Sequence, residues 1–291
     1  MGDVPMRTAE GGRCARPAAH LFCLLRITAR LTQRAPWRMP RLRAALAALL
    51  IVTGATSPAL SGAWMFEPGD GVAIITTGFT GSANAYDADG RLQPIPDYRK
   101  FELRAHVEYG ITPWLTGVLK TEGRLESQSD TERSFAGAGG RIRLAHTDRM
   151  VMSAQAIAYT PGLDDSGLWL DGEPAAFDAR LLIGRSFSLF GRPGFVDAQA
   201  GYRVTEGDAA DEVHIDLTLG LKPTPRWMLL AQSFSTISVG SGPSYRYDKL
   251  QASVVRWIRD GIGLEVGLTG TIAGVSALQE RGAFASLWYE F

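Results

Sequence analysis

Period-two alternation runs through the chain from residue 64 onward and narrows the possible folds more than any other feature. In residues 98–109, Tyr98, Lys100, Glu102, Arg104, His106 and Glu108 take one side of an extended chain, opposite Phe101, Leu103, Ala105, Val107 and Tyr109. Residues 212–222 set Glu212, His214, Asp216, Thr218 and Lys222 against Val213, Ile215, Leu217, Leu219 and Leu221. Residues 195–204 set Asp197, Gln199 and Arg203 against Val196, Ala198, Ala200, Tyr202 and Val204. Successive side chains of a strand point to opposite faces, so each segment has a polar face and an apolar one. About twelve such segments of roughly ten residues succeed one another, near 71–80, 98–109, 114–125, 134–145, 150–160, 175–186, 194–204, 212–222, 227–237, 246–257, 261–272 and 281–291.

The connections alternate in length. Short ones carry turn residues, as in Gly110-Ile111-Thr112-Pro113, Thr147-Asp148-Arg149, Pro223-Thr224-Pro225 and Arg259-Asp260-Gly261, with 187–193 slightly longer. The others, 81–97, 126–133, 161–174, 205–211, 238–244 and 273–280, are longer and mostly polar. Tight turns at one end and longer loops at the other are the arrangement of an outer-membrane barrel, and an even strand count returns both ends to the tight-turn side. No stretch of ~18 apolar residues is present, which excludes a helical membrane protein. The predicted fold is all-β, a closed antiparallel transmembrane β-barrel of about twelve strands, with short periplasmic turns and longer extracellular loops.

The zero formal net charge hides two regions. Residues 1–63 hold nine arginines against Asp3 and Glu10, which leaves 21 bases against 28 acids in 64–291. An acidic body argues against nucleic acid as a partner. Both cysteines, Cys14 and Cys23, precede residue 64, so the body has no thiol, disulfide or cysteine metal site. Residues 39–63 read as a cleaved secretory signal peptide: Arg41 and Arg43, then an apolar core from Ala44 to Val52, then Ser61-Gly62-Ala63 before the cut. Residues 1–38 read as a start assigned too early or an unstructured extension, and 64–291 as the barrel.

Aromatic residues crowd the strand ends. Tyr109, Trp114, Phe187, Phe190, Phe195, Trp227, Trp257, Trp288 and Tyr289 fall by the short turns or the C-terminus. Phe79, Tyr98, Phe135, Tyr159, Phe177, Phe234, Tyr245 and Phe284 fall near the opposite ends. Two interfacial girdles are expected. The chain closes on Ala285-Ser286-Leu287-Trp288-Tyr289-Glu290-Phe291, which places Tyr289 and the terminal Phe291 on one face. With the signal peptide and the strand pattern, this resembles the last strand of bacterial outer-membrane β-barrel proteins. The resemblance implies that Tyr289 and Phe291 form a signal for the barrel assembly machinery, and that the protein resides among outer-membrane lipid. A narrower likeness lies in Glu108-Tyr109-Gly110-Ile111-Thr112-Pro113-Trp114-Leu115-Thr116. It is similar to hairpins of an uncharacterised transporter-like barrel family labelled for the meta pathway of phenol degradation, which supplies no functional residues to carry over.

Closing the barrel turns the polar faces inward. The expected lumen residues are Lys100, Glu102, Arg104, His106, Glu108, Arg141, Arg143, Asp178, Arg180, Asp197, Arg203, Glu212, His214 and Asp216, joined by Lys120, Glu122, Lys222, Lys249 and Glu265. Neither sign dominates, so the lumen reads as a narrow, mixed-charge passage or binding space for a small solute. Arg141 and Arg143 could form an anion-attracting step, or be ion-paired structural residues. A barrel plugged by paired charges, and an outer-membrane lipid hydrolase using His214 and Asp216, are the alternatives. No His-x-Ser pair exists, the acidic and histidine residues lack metal-site spacing, and Gly137-Ala138-Gly139-Gly140 has no helix after it to cradle a phosphate. The sequence thus points to no enzyme, no cofactor and no metal. Loops 81–97 and 161–174 are candidates to fold inward, the latter carrying Asp164, Asp165 and Asp171.

Overall fold

The computed structural model describes residues 62–127, 133–161 and 175–291. Every regular element among them is a strand: β1 (Gly71–Tyr86), β2 (Leu92–Thr112), β3 (Leu115–Glu126), β4 (Arg133–His146), β5 (Met150–Pro161), β6 (Ala176–Leu189), β7 (Arg192–Thr205), β8 (Asp211–Thr224), β9 (Trp227–Val239), β10 (Arg246–Arg259), β11 (Ile262–Val275), β12 (Ala277–Leu278) and β13 (Arg281–Glu290). Long strands pair antiparallel in chain order, and β13 returns to β1 over Val72↔Glu290 to Gly81↔Arg281. Twelve long strands therefore close the wall, while β12 only extends the ladder at the far end of β1. Closure is what lets an antiparallel sheet cross hydrocarbon, because no backbone edge is left unpaired. The seam is locked by the last residue: Phe291 and Gly71 exchange backbone hydrogen bonds at 3.0 and 2.7 Å.

The strand ends agree with the alternation to within a few residues except at two connections. Residues 81–97 are not a long loop. β1 and β2 run on as a ribbon and turn over Asp87–Arg91. Asp87 makes that turn by accepting the N–H groups of Asp89 and Arg91 at 3.0 and 2.8 Å, and Gly90 supplies the positive φ of 76°. The Arg91 N–H also holds the Asp87 carboxyl below the usual carboxylate range. Pro94 and Pro96 in β2 had disguised the ribbon, yet both lie beyond the described β2–β3 ladder, which stops at Lys100↔Glu126. Connection 187–193 shrinks to two residues, Phe190 and Gly191, with φ of 50° and 74°, as a type I′ hairpin turn demands. Of the expected 161–174 loop, residues 162–174, with Asp164, Asp165 and Asp171, lie outside the described residues, as do the 1–38 segment and the signal-peptide core.

The outer face is apolar at every height. Leu103 on β2, Leu217 on β8 and Leu268 on β11 are 53%, 49% and 68% exposed, an exposure that a water-soluble β-sandwich does not sustain around its whole circumference. Only part of the aromatic set forms girdles. Tyr109, Trp114, Trp227 and Tyr289 are exposed at the short-turn end, and Phe79 and Phe177 at the loop end, where Phe101 and Tyr202, outside the expected set, join them. Phe195, Trp288, Tyr159 and Phe284 are instead buried inside the barrel. Position at a strand end fixes height in the membrane but not the face, which follows from parity alone. Leu217, midway along β8, gives a direct check on the outer face. Leu217→Arg is expected to destabilise the barrel by about 2–4 kcal/mol in urea titrations from lipid vesicles. An unchanged midpoint would mean that this face does not meet hydrocarbon.

Candidate functional site: the barrel lumen

The inward parity of β2 carries Lys100, Glu102, Arg104, His106 and Glu108, and Glu108 is only 1% exposed. Arg141 on β4, Asp178 and Arg180 on β6, Asp197 and Arg203 on β7, and Glu212, His214 and Asp216 on β8 also turn inward. So do Lys120 and Glu122 on β3, Lys249 on β10 and Glu265 on β11. Arg143 is half-buried at the short-turn end and does not line the central cavity. Lys222 also lies outside the cavity, with its ammonium 5.6 Å from the centre of the Trp257 ring. Tyr289 and Phe291 face outward and stack on one another, with ring centres 5.6 Å apart.

Most interior charges are paired, in three groups. Toward the short turns, Arg141 donates through both terminal nitrogens to Glu108, at 2.9 and 2.6 Å, and also to Gln155 at 2.9 Å. His106 Nε2 lies 2.8 Å from the same Glu108 carboxylate. On the opposite strands, Arg180 bridges Asp178 at 2.7 Å and Asp216 at 2.6 Å, while Arg203 and the Tyr245 hydroxyl donate to Glu212 at 3.2 and 2.6 Å. Toward the loops, Lys100 and Lys249 share Glu280, at 2.8 and 2.6 Å, and Lys100 also meets Glu102 at 2.8 Å. Bidentate guanidinium–carboxylate geometry fixes such side chains in place.

Two side-chain arrangements suggested by the sequence are not formed in these contacts. The anion-attracting step of Arg141 and Arg143 does not form, because the Arg141 guanidinium is taken up by Glu108, Gln155 and a backbone carbonyl, and Arg143 is outside the cavity. His214 and Asp216 share a face but not a bond. His214 Nε2 lies 3.0 Å from Glu212 and Nδ1 lies 3.3 Å from Thr236 Oγ1, whereas Asp216 holds Arg180. The carboxylate that would orient the imidazole for hydrolysis is engaged elsewhere.

The segment before β1 enters the lumen at the short-turn end. Ala63 is 0% exposed, and its N–H donates to Asp197 Oδ2 at 2.7 Å. The Trp64 carbonyl accepts from Arg141 at 3.1 Å, and the Phe66 N–H donates to Thr116 Oγ1 at 3.3 Å. The Trp64 ring stands edge-on to Phe195, with centres 5.7 Å apart. Trp64 and Phe66 pack on an inward apolar cluster of Val72, Phe195, Met228, Leu230, Val255 and Trp288. Twelve strands spaced ~4.8 Å apart and tilted ~40° enclose a backbone diameter of about 24 Å, which inward side chains reduce to ~12 Å. Two large rings anchored there occupy most of the width.

On the loop side of this cluster lies a cavity of about 780 Å³. Phe195, Met228, Leu230 and Trp288 form its apolar floor, and Thr76, Thr218, Gln232, Gln251 and Ser286 add neutral polar groups. The sequence reading missed this floor. Met228, Leu229 and Leu230 are apolar on both faces of β9, so alternation has no contrast there. The Trp64-Met65-Phe66 segment has no period at all; its only signal is three large apolar residues directly after the proposed cleavage motif. Glycines of β4 have a steric role: a Cβ at Gly137 would enter the Tyr159 ring.

The fold is that of outer-membrane β-barrels. An outer-membrane channel from Pseudomonas putida F1 has TM-score 0.57 at 14% identity, covering 81% of this chain and 100% of its own. The NanC porin has TM-score 0.51 at 6% identity, covering 75% of this chain and 100% of its own. At such identities the likeness is one of fold alone. No family model and no curated protein matches the chain, so the likeness of Glu108–Thr116 to one transporter-like family gains no support there.

Proposed function

We propose that this chain is an outer-membrane barrel that binds and passes a small solute through a narrow, mixed-charge lumen constricted by its own N-terminal segment. The observation that carries the reading is the cavity of about 780 Å³, enclosed by the barrel wall and lined by charged, hydroxyl and amide side chains. A volume of that size suits one small organic molecule. The paired charges leave no dominant sign, in keeping with weak ion selectivity. Signal-peptide cleavage near Ala63, assembly through Tyr289 and Phe291, and membership of the phenol-degradation-labelled transporter family belong to the same proposal.

Purified barrel in a planar bilayer is expected to give small, discrete current steps that vanish when the sample is heat-unfolded. A second reading, a closed structural barrel, is favoured by the packing of Trp64 and Phe66 across the mouth. It predicts a silent bilayer from correctly folded protein. Passage without catalysis also predicts that His214→Ala leaves the current steps in place. Hydrolysis of outer-membrane phospholipid by the wild type, abolished in that variant, would replace the solute reading with an enzymatic one.

A further inference from the structure

Arg104 on β2 and Lys120 on β3 both line the central cavity, and neither makes an ion pair or hydrogen bond with any described residue. Their carboxylate neighbours are already occupied. Glu102 is held by Lys100 at 2.8 Å, Glu108 by Arg141 at 2.6 Å, Asp178 by Arg180 at 2.7 Å, and Glu122 is ion-paired to Arg124. Both are half-buried in the lumen, where a cation with no bonded counter-charge calls for water or a ligand anion. Register places the two together: Arg104 pairs with Glu122, and His106 pairs with Lys120. They are thus diagonal cross-strand neighbours, ~7–8 Å apart at the backbone, a separation that lets both heads reach one anionic group. A guanidinium fork offers two parallel donors to a carboxylate and an ammonium adds a point charge. The rest of the same cavity is apolar at its floor, with Phe195, Met228, Leu230 and Trp288.

We propose that Arg104 and Lys120 form an anion subsite for the carboxylate of an amphipathic solute whose apolar body lies on the Phe195–Met228–Leu230–Trp288 floor. The inference rests on the solute-passage reading and names the chemical class of the solute. Hexanoate is the probe, titrated into the folded barrel by calorimetry, with acetate, hexan-1-ol and hexylammonium as comparisons. Saturable hexanoate binding is expected, with each of the other three at least about tenfold weaker. Arg104→Gln and Lys120→Gln should each weaken hexanoate about tenfold, and Lys120→Arg should restore most of the affinity. Heat-modifiable migration on a gel verifies that each variant has folded. The proposal is overturned by absent hexanoate binding, by equal binding of hexanoate and hexan-1-ol, or by glutamine variants that bind as the wild type does. Equal binding of acetate and hexanoate removes the apolar floor from the site, and with it the amphipathic class. The bilayer separates this from the broader reading. Current steps without charge-dependent binding leave passage standing and remove the subsite. Charge-dependent binding with a silent bilayer keeps the subsite and removes passage.

Discussion

Replacing Trp64 and Phe66 together with glycine is expected to raise single-channel conductance several-fold. Conductance follows the cross-section at the narrowest point, and two large rings fill most of a ~12 Å free width. The backbone anchors that remain after cleavage survive the substitution, because Trp64 and Phe66 hold Arg141 and Thr116 through main-chain groups. The segment should therefore stay inside the barrel while its rings are lost. The gain should appear as larger steps of unchanged frequency. An unchanged step size would place the narrowest point elsewhere, most directly at the charge groups toward the loops.

Glu108→Ala is the substitution expected to cost most in stability, about 3–5 kcal/mol, because it strips the carboxylate from a guanidinium that stays buried. Arg141 is only 2% exposed and meets Glu108 through two hydrogen bonds, so water does not readily replace the lost partner. A double variant, Glu108→Ala with Arg141→Met, should recover a large part of the loss, since the stranded charge is then gone as well. Urea unfolding from lipid vesicles measures both. A Glu108→Ala barrel as stable as the wild type would mean that the lumen is wet enough at this height to solvate Arg141. The same variant also disturbs the hydrogen bond from Arg141 to the Trp64 carbonyl, so a rise in conductance should accompany the loss of stability.

The wall of the barrel was legible because its faces differ in solvent. Lys100 to Glu108 alternate with Phe101 to Tyr109, and the structure sends the first set inward and leaves Leu103 and Tyr109 exposed. Legibility ended wherever the two faces shared a chemistry. β9 begins Trp227-Met228-Leu229-Leu230, so nothing in the sequence distinguishes the floor of the cavity from the lipid-facing surface. Trp288 looked like a girdle residue, yet its indole N–H donates at 2.9 Å to buried Glu265. Partner choice was also hidden. Arg141 is two residues from Arg143 but is bound to Glu108 on β2, and Asp216 is two residues from His214 but is bound to Arg180 on β6. Those pairs depend on which strands barrel closure brings face to face, information that no local pattern carries. The first hairpin was hidden for a different reason: Gly90, Pro94 and Pro96 are loop residues by composition, and a single Asx turn at Asp87 makes them a ribbon.

The body has no cysteine, so a single introduced thiol reports on one wall position alone. The most direct measurement is bilayer current through Thr76→Cys, before and after a charged, membrane-impermeant thiol reagent, with Leu217→Cys as its counterpart. Thr76 lines the cavity, and Leu217 lies on the apolar outer face. A water-filled, solute-conducting lumen predicts that the reagent reduces the current through Thr76→Cys stepwise and leaves Leu217→Cys unmodified. No current from the folded barrel, or a current indifferent to the reagent at Thr76 while Leu217→Cys reacts, would contradict it.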